Sequence, residues 1–586
     1  MTDFVHPGLL FILGALPIPF LKGSVRKAYV LLIPTLAILA VLTMHPGAYG
    51  TAQFIGQQII VAKVDKLSIL FATVFSIMAL IGTVYALHLT RAGQHVAAFV
   101  YVGSALGVVF AGDYLTLFLF WEGMTFASAY LVFAQRSGQA FRAGFRYLMV
   151  HITGSVALLG GIVLHGFATG SLLIGPIEGG LGFATCLILA GFLLNAAVPP
   201  LNAWLTDAYP EATVTGAVFM SAFTTKTAVY VLARAFPGTD LLVWLGTVMA
   251  LYGVIYAVLE NDCRRLLAYH IVSQVGYMVA GIGIGTEMAV NGAVSHAFAH
   301  ILYKALLFMG AGAVIHVTGR RKLTELGGLY RTMPVTLALY MIGAFAISAF
   351  PFFSGFVTKS MVVAAAAQDH RALVVLALTM ASSGTFLHTG LKLPYYMFFG
   401  ADQGLEAREP PHNMLVAMGM AAVLCIAIGV FPHTLYALLP HPVDFQPYTG
   451  VHVTESLGVL MFTALGFVIF LRALDPENTI SIDTDWFYRM GARRFMWLAE
   501  KPLARYEKAV SDVSETAALP FLHGMARAGL RIDLHGVDAF VNGVARSILR
   551  GGLALRRLQS GVVTHYALAM VAGVIAAIAI FAVAWR

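Results

Sequence analysis

The chain has 586 residues, 59% of them hydrophobic and only 11% charged, with a mean hydropathy of +0.82. Soluble domains carry about 25% charged residues, so this is a polytopic membrane protein, and a net charge of +8 spread over its loops is no nucleic-acid signal. The three cysteines, Cys186, Cys263 and Cys425, are far apart, which argues against a disulfide framework, a zinc site or an iron–sulfur cluster.

A membrane-crossing helix needs roughly 20 apolar residues. The N-terminal stretch "MTDFVHPGLLFILGALPIPF" has no basic leader and no small-residue cleavage site, so it reads as a first transmembrane helix rather than a removed signal. On the length rule about sixteen spans are expected. The first eight lie near 8–22, 27–45, 67–89, 95–112, 114–134, 144–166, 181–201 and 212–235. The rest lie near 240–259, 266–284, 288–317, 334–365, 372–399, 413–431, 455–473 and 563–584. Between spans 2 and 3, residues 50–66 alternate apolar and polar, the pattern of a small external hairpin.

Basic residues concentrate in the loops that follow odd-numbered spans: Lys22, Arg26 and Lys27; Arg136, Arg142 and Arg146; Arg264 and Arg265; Arg320, Arg321, Lys322 and Arg331; Arg408. The other loops hold few, namely Lys63, Lys66, Arg234 and Arg371. The positive-inside rule makes the first set cytoplasmic and places both termini outside.

Two spans are interrupted. Span 7 carries Pro199 and Pro200 in "NAAVPPLNAW", and span 12 carries Pro351 and Gly355 in "SAFPFFSGF". Broken helices in matching positions point to inverted repeats with an ion site near the midplane. The breaks are five spans apart, which fits two five-helix units, spans 4–8 and 9–13. An odd number of spans per unit makes the second inverted. After span 15 the chain becomes polar and Arg-rich, with apolar residues at three- and four-residue steps, "WFYRMGARRFMWLAEKPLARYEKAV". A stretch this long is no ordinary connection. It reads as an amphipathic helical segment along the cytoplasmic surface before the last span.

Four clusters of titratable residues inside the spans matter most: Glu122 in span 5, Lys226 in span 8, His296, His300 and Lys304 in span 11, and Lys359 just after the break in span 12. Each costs about 2.5–3.5 kcal/mol to insert. A lone histidine is more often a packing residue, and a lone lysine can snorkel. Glu122 and Lys226, however, have long apolar flanks, and "SHAFAHILYK" sets three groups on one helix face at four-residue steps. A zincin site needs HExxH; Ala297 stands where that glutamate would be, so no metal is expected. What remains is proton transfer, because His titrates near neutral pH and burial brings Lys and Glu toward it. Each step along the helix rises about 6 Å, so water or a further side chain must bridge the gaps.

In this order the segments resemble the antiporter-like, proton-translocating subunits shared by respiratory complex I, membrane-bound hydrogenases and Mrp-type sodium/proton antiporters. The resemblance covers nearly the whole chain. It rests on "FLFWEGMTFASAYLV", "PPLNAWLTDAYPEATVTGAVFMSAFTTKTAVYVLARA", "ENDCRRLLAYHIVSQVGYM", "SHAFAHILYKALLF", "FPFFSGFVTKS" and "LRRLQSGVVTHYALAMVAG". It implies Glu122 as the inlet carboxylate and Lys226 as the central lysine of span 8. It also implies His296, His300 and Lys304 as a relay and Lys359 as the outlet lysine. One departure stands out. Most members carry a span-7 lysine nine residues before the tryptophan, which pairs with the span-5 glutamate; here that position is Asn195. Either Lys226 pairs with Glu122, or His151 on span 6 substitutes, or this half-channel does not pump in the usual way.

The expectation is therefore an all-α polytopic membrane protein that works as one component of a larger complex. Its regions are 1–94 (spans 1–3), 95–236 (first repeat), 237–400 (second repeat), 401–474 (spans 14–15), 475–561 (lateral segment) and 562–586 (last span). It moves protons, with sodium a candidate counter-ion, beside other membrane subunits in a bacterial inner membrane. It carries no cofactor motif and no redox site of its own, and binds no nucleic acid. The rival readings are a stand-alone cation/proton antiporter and a scaffold component that has lost transport.

Overall fold

The computed structural model describes residues 5–177, 180–477 and 483–585. It separates into two compact units, Met1–Trp486 and Phe487–Arg586.

The first unit opens with α1 (Pro7–Gly14) and α2 (Gly23–Leu42), then strands β1 (Gly47–Phe54) and β2 (Gln57–Val64). The strands pair antiparallel with Phe54 opposite Gln57. Ile55 and Gly56 both take positive φ in the two-residue turn, which suits the twist of a tight hairpin. The hairpin expected at 50–66 is therefore present. Buried Asp113 pins it: its Oδ2 accepts from Ile60 N at 2.9 Å while Oδ1 accepts from Thr116 N at 2.8 Å, capping the helix that follows.

Next come α3 (Lys66–Tyr85), α4 (Ala92–Phe110), α5 (Tyr114–Phe133), α6 (Gly138–Thr169), α7 (Phe183–Asn195), the short α8 (Ala203–Ala208), α9 (Val214–Ala222) and α10 (Thr224–Ala235). They are followed by α11 (Asp240–Leu259), α12 (Cys263–Ile284), α13 (Glu287–Thr318), α14 (Pro334–Ile347), α15 (Ser354–Gln368) and α16 (Ala372–Thr385). Two π-helical turns, Phe386–Lys392 and Tyr395–Phe399, extend α16. The unit closes with α17 (His412–Val430), the single turn α18 (His433–Tyr436) and α19 (Gly450–Ile469).

Among the described residues, thirteen helices are long and apolar enough to cross a membrane. Three shorter apolar helices, Pro7–Phe20, Phe183–Asn195 and Pro334–Ile347, lie where the sequence placed spans 1, 7 and 12. The protein is a helical integral membrane protein. Helices α10, α12 and α13 form the interior of this unit, while α2 and α19 present most of their surface outward.

The sequence marked interruptions in spans 7 and 12. At the first, Ala197 takes a left-handed φ of 59°; at the second, Ala349 takes 57°. Each break leaves carbonyls without helical partners. The Trp204 indole N–H donates to Leu194 O at 2.9 Å, and Lys359 donates to Ile347 O at 2.9 Å. Span 8 holds a third break that no proline or glycine announces: α9 and α10 meet at Phe223, whose φ and ψ are −102° and −62°.

Loop contacts sort into two sets. Arg26 reaches Thr90 O, Arg146 forks onto Asp207, and Arg321 pairs with both Glu211 and Asp262. All of these lie in or beside loops after odd-numbered apolar runs. Arg234 pairs with Asp65, Arg371 with Asp240, and His441 approaches Glu287; these follow even-numbered runs. Successive apolar runs of this unit therefore alternate in direction.

Asp65 precedes α3, outside the spans. Burial works against its carboxylate, but the Arg234 guanidinium outweighs it, with help from Ser68 N–H, and holds the pKa below the ordinary value. A depressed native pKa gives stability that is present above the unfolded value, about 3.9, and lost as pH falls through the native one. Asp65→Asn is expected to lower the melting temperature of detergent-solubilised protein at neutral pH. The difference from wild type should vanish in acid. An undiminished gap in acid would show that the pair's charge is not what stabilises.

The second unit carries on the helix α20 (Asp485–Leu498) through α21 (Ala504–Val513), α22 (Leu519–Arg531) and α23 (Asp538–Arg556). They join through π-turns at Ala499–Leu503, Ser514–Ala518 and Ile532–Val537 rather than through loops. The helical run from 485 to 556 is about 110 Å long at 1.5 Å per residue. The amphipathic segment expected there is thus helical. The last helix, α24, spans Val563–Ala584.

Candidate functional site

The six titratable residues singled out in the sequence sit on four helices of the first unit: α5, α10, α13 and α15. Lys226, His296, His300 and Lys304 are 0% exposed and Lys359 is 2% exposed. No surface route remains for the four at 0%, which removes snorkelling as an explanation for Lys226 and Lys304.

The break at Phe223 builds the Lys226 site. Lys226 Nζ donates to Ser221 O at 2.6 Å, a carbonyl beside the break, and to Thr225 Oγ1 at 3.0 Å. Among the described residues no carboxylate lies within ion-pair distance of Lys226, so it is not paired with Glu122 in this structure. Glu122, on α5, is half-buried, and its Oε1 is enclosed without a partner.

On α13 the three residues line one face as their spacing requires. His296 Nδ1 lies 3.1 Å from Thr358 Oγ1, and its Nε2 lies 3.4 Å from Tyr303 OH. The His296 and His300 rings are 6.2 Å apart, and Tyr303 stands 5.1 Å from the His300 ring. Tyr303 thus stands beside both histidines, which the sequence alone did not identify. Both nitrogens of His300 and the Nζ of Lys304 are buried without a protein partner. Such atoms are costly to leave dry, about 1–3 kcal/mol each, and they are the polar groups an internal water needs.

Lys359 stands in the first turns of α15. Besides Ile347 O, its Nζ reaches Ser382 Oγ at 3.5 Å and sits 5.2 Å over the Tyr277 ring. It lines a cavity of about 900 Å³ shared with Ser360, Thr379, Ser382, His452 and Glu455. The lysine expected at the outlet therefore faces a roomy space whose mostly apolar wall carries several hydroxyls.

Asn195 ends α7 and is 2% exposed. It lies beside His151 of α6, whose ring packs tilted against Tyr147 at 4.2 Å and edge-on against Trp204 at 4.5 Å. Neither ring nitrogen of His151 has a hydrogen-bond partner. Tyr147 OH in turn meets Ser128 Oγ at 2.8 Å, and Tyr101 OH meets Thr224 Oγ1 at 2.5 Å. A polar cluster of hydroxyls and one imidazole thus occupies the space near Asn195. Among the described residues no group of three or more His, Cys, Asp or Glu converges in a metal-binding geometry.

A chain of buried titratable groups, with partnerless atoms between them, can pass a proton but offers no nucleophile–base pair for covalent chemistry. Known proteins of similar sequence fit that chemistry. The family model described as NADH:quinone oxidoreductase/Mrp antiporter, TM, matches residues 111–385, which include Glu122, Lys226, the α13 triplet and Lys359. The chain is 31% identical over 346 residues to one of the Na(+)/H(+) antiporter subunits of Alkalihalophilus pseudofirmus, covering 55% of this chain and 69% of that protein. It is 29% identical over 453 residues to a probable K(+)/H(+) antiporter subunit of Rhizobium meliloti, covering 72% of this chain but 43% of that one. It thus spans under half the length of that relative. Among solved structures, a chain of the membrane-bound sulfane sulfur reductase, an archaeal respiratory membrane complex, superposes with a TM-score of 0.69 at 21% identity, over 90% of this chain and 99% of that chain. The fold, the match across the buried line and the antiporter relatives together make this chain a member of the NADH:quinone oxidoreductase/Mrp antiporter membrane-subunit family.

Proposed function

We propose that the chain is a proton-translocating, antiporter-like subunit of a multisubunit ion-pumping membrane complex. One observation carries the reading: His296, His300 and Lys304 stand in step on one face of the enclosed helix α13, with Lys226 and Lys359 at helix breaks on either side in sequence. In this reading Glu122 serves the inlet, Lys226 and the α13 triplet pass the proton across the centre, and Lys359 delivers it to the cavity beside it. Each proton moved against 100 mV requires about 2.3 kcal/mol, which a partner reaction or a counter-ion gradient must supply. Sodium and potassium are both named among the relatives, so an alkali cation is the candidate counter-ion. The chain itself takes no part in redox chemistry.

The finer architecture belongs to the same proposal. Sixteen spans cross the membrane, with spans 4–8 (95–236) and 9–13 (237–400) as two inverted repeats. The left-handed alanines at both breaks, Ala197 and Ala349, and the alternation of loop contacts support it. Residues 1–94 and 401–474 flank the repeats, 475–561 lies on the cytoplasmic surface, and 562–586 is the last span. The basic loops support a cytoplasmic Arg146–Asp207 and Arg321–Asp262 face with both termini outside, in a bacterial inner membrane. The relatives named as subunits support partnership with other membrane proteins over a stand-alone antiporter.

The test is proton movement in everted vesicles from cells that carry or lack this chain together with its natural partners. Energised proton uptake should depend on the chain and return when it is restored. Unchanged uptake without the chain would overturn the proposal, and uptake by the purified single chain would favour the stand-alone reading.

A further inference from the structure

Three buried titratable side chains lie outside the line described so far. His270 is on α12, and His388 and Lys392 are on the π-helical extension of α16; their exposures are 0%, 1% and 2%. Nothing in the sequence marks them as a group, because more than a hundred residues separate the first from the other two.

The fold brings them together. The His270 and His388 rings are 5.9 Å apart. His388 and Lys392 are four residues apart on one stretch, and the charges of the two act on each other. Lys392 Nζ donates to Val258 O at 2.7 Å, in the last turn of α11, within electrostatic reach of Glu260 and Asp475. At the inner end His270 lies within electrostatic reach of Lys304 and Lys359. A row of hydrogen-bonding groups also crosses from α13 through α12 to the end of α16. His296 Nε2 neighbours Tyr303 OH, which reaches Gln274 Oε1 at 3.5 Å, and Gln274 Nε2 donates to Thr385 Oγ1 at 3.2 Å.

The groups are not there to satisfy one another. Both nitrogens of His270, His388 Nδ1 and Thr389 Oγ1 are enclosed without partners. Apolar residues of like size would fill the space without that cost. Four orphaned polar atoms beside one another are what a buried water needs. His388 Nδ1 and Thr389 Oγ1 lie where the helix opens from α to π, a local widening frequent at functional sites.

We propose that His270, His388 and Lys392 form a second proton inlet, running from the face that carries Glu260 and Asp262 to Lys304. The proposal rests on the relay reading above. A proton from water at the Glu260 face moves to the Lys392 amine, then through water to the His388 ring, the His270 ring and the Lys304 amine. Each hop protonates one nitrogen and deprotonates the one before it. The second repeat then has an inlet of its own, and Lys304 is where the two routes join.

The test uses vesicles containing the complete complex. Glutamine keeps an imidazole's hydrogen bonding but cannot carry a proton at neutral pH. His270→Gln and His388→Gln should each lower proton flux by the share that the second inlet carries, because the Glu122 route still feeds Lys304, at unchanged assembly. Normal flux in both, beside an inactive Lys304→Ala, overturns the inlet and leaves the relay standing. Normal flux in Lys304→Ala overturns the relay itself. A second measurement does not depend on the histidine variants folding. In a chain with Cys186, Cys263 and Cys425 replaced by serine, Thr389→Cys should make flux sensitive to silver ion, which is small enough for a single-file water path. Block from the Glu260 face supports the inlet; insensitivity from that face overturns it.

Discussion

Replacing Lys226 or Lys304 with alanine is expected to abolish most proton translocation while the chain still folds and assembles. Both ammonium groups are fully enclosed. Lys226 is held by a carbonyl and a hydroxyl at the α9–α10 break, and Lys304 Nζ has no protein partner at all. Inserting such a group costs about 2.5–3.5 kcal/mol, so its removal relieves a penalty that offsets the packing lost with the side chain. Stability should therefore change little. Transport should not survive, because a relay with one titratable link missing must carry its proton across a gap wider than a hydrogen bond. A loss of at least about 100-fold is the scale of a removed proton-transfer group. Lys226→Met and Lys304→Met keep the volume and remove only the charge, so they separate packing from proton transfer. Proton uptake in vesicles holding equal amounts of assembled complex reads the result. Normal uptake in an alanine or methionine variant removes that lysine from the pathway.

Gly253→Val is expected to keep the protein from accumulating in the membrane. Helices α11 and α12 meet backbone to backbone along four glycines. A Cβ on Gly253 would stand 2.5 Å from both Ser273 N and Tyr269 O. One on Gly246 would stand 2.3 Å from Ala280 N, one on Gly276 2.5 Å from Gly246 O, and one on Gly283 2.4 Å from Val243 N. Those neighbours are main-chain atoms of hydrogen-bonded helices, so they cannot turn aside as a side chain would. Membrane helices associate through such small-residue seams because no hydrophobic force distinguishes a helix from lipid. Overpacking a core costs about 1–3 kcal/mol or more, and here the two helices would have to part along their length. α12 carries His270 and Gln274, so the interior would lose its frame as well. Gly466→Val on α19, where an added Cβ meets nothing within 4 Å, is the matched control. Equal membrane levels of the two variants would show that the seam does not hold the fold.

How much of this was legible beforehand follows from what each property depends on. Hydropathy is a property of the residue and its near neighbours, so the apolar runs, the hairpin at 50–66 and the long helix after α19 could be read directly from the sequence. The α13 triplet was legible for the same reason: four-residue spacing on one helix fixes a shared face whatever surrounds it. The breaks at Pro199–Pro200 and at Pro351 were announced by residues that cannot continue a helix.

Other features depend on how separate helices are rotated and set against one another. The break at Phe223 has no proline or glycine; it appears where Lys226 needs the Ser221 carbonyl. Tyr303 beside the histidines depends on side-chain direction, and the Asn195–His151 contact joins two helices across a long loop. The meeting of His270 with His388 and Lys392 needs α12 and the extension of α16 to be neighbours. That arrangement is set by close packing, including the glycine seam that draws α11 onto α12, and its energy lies in pairs of atoms far apart in sequence. The sequence by itself determined that buried charges exist and which helices carry them. Only the tertiary structure decided which of those charges meet, because a residue's transfer energy does not depend on its partners and a proton's path does.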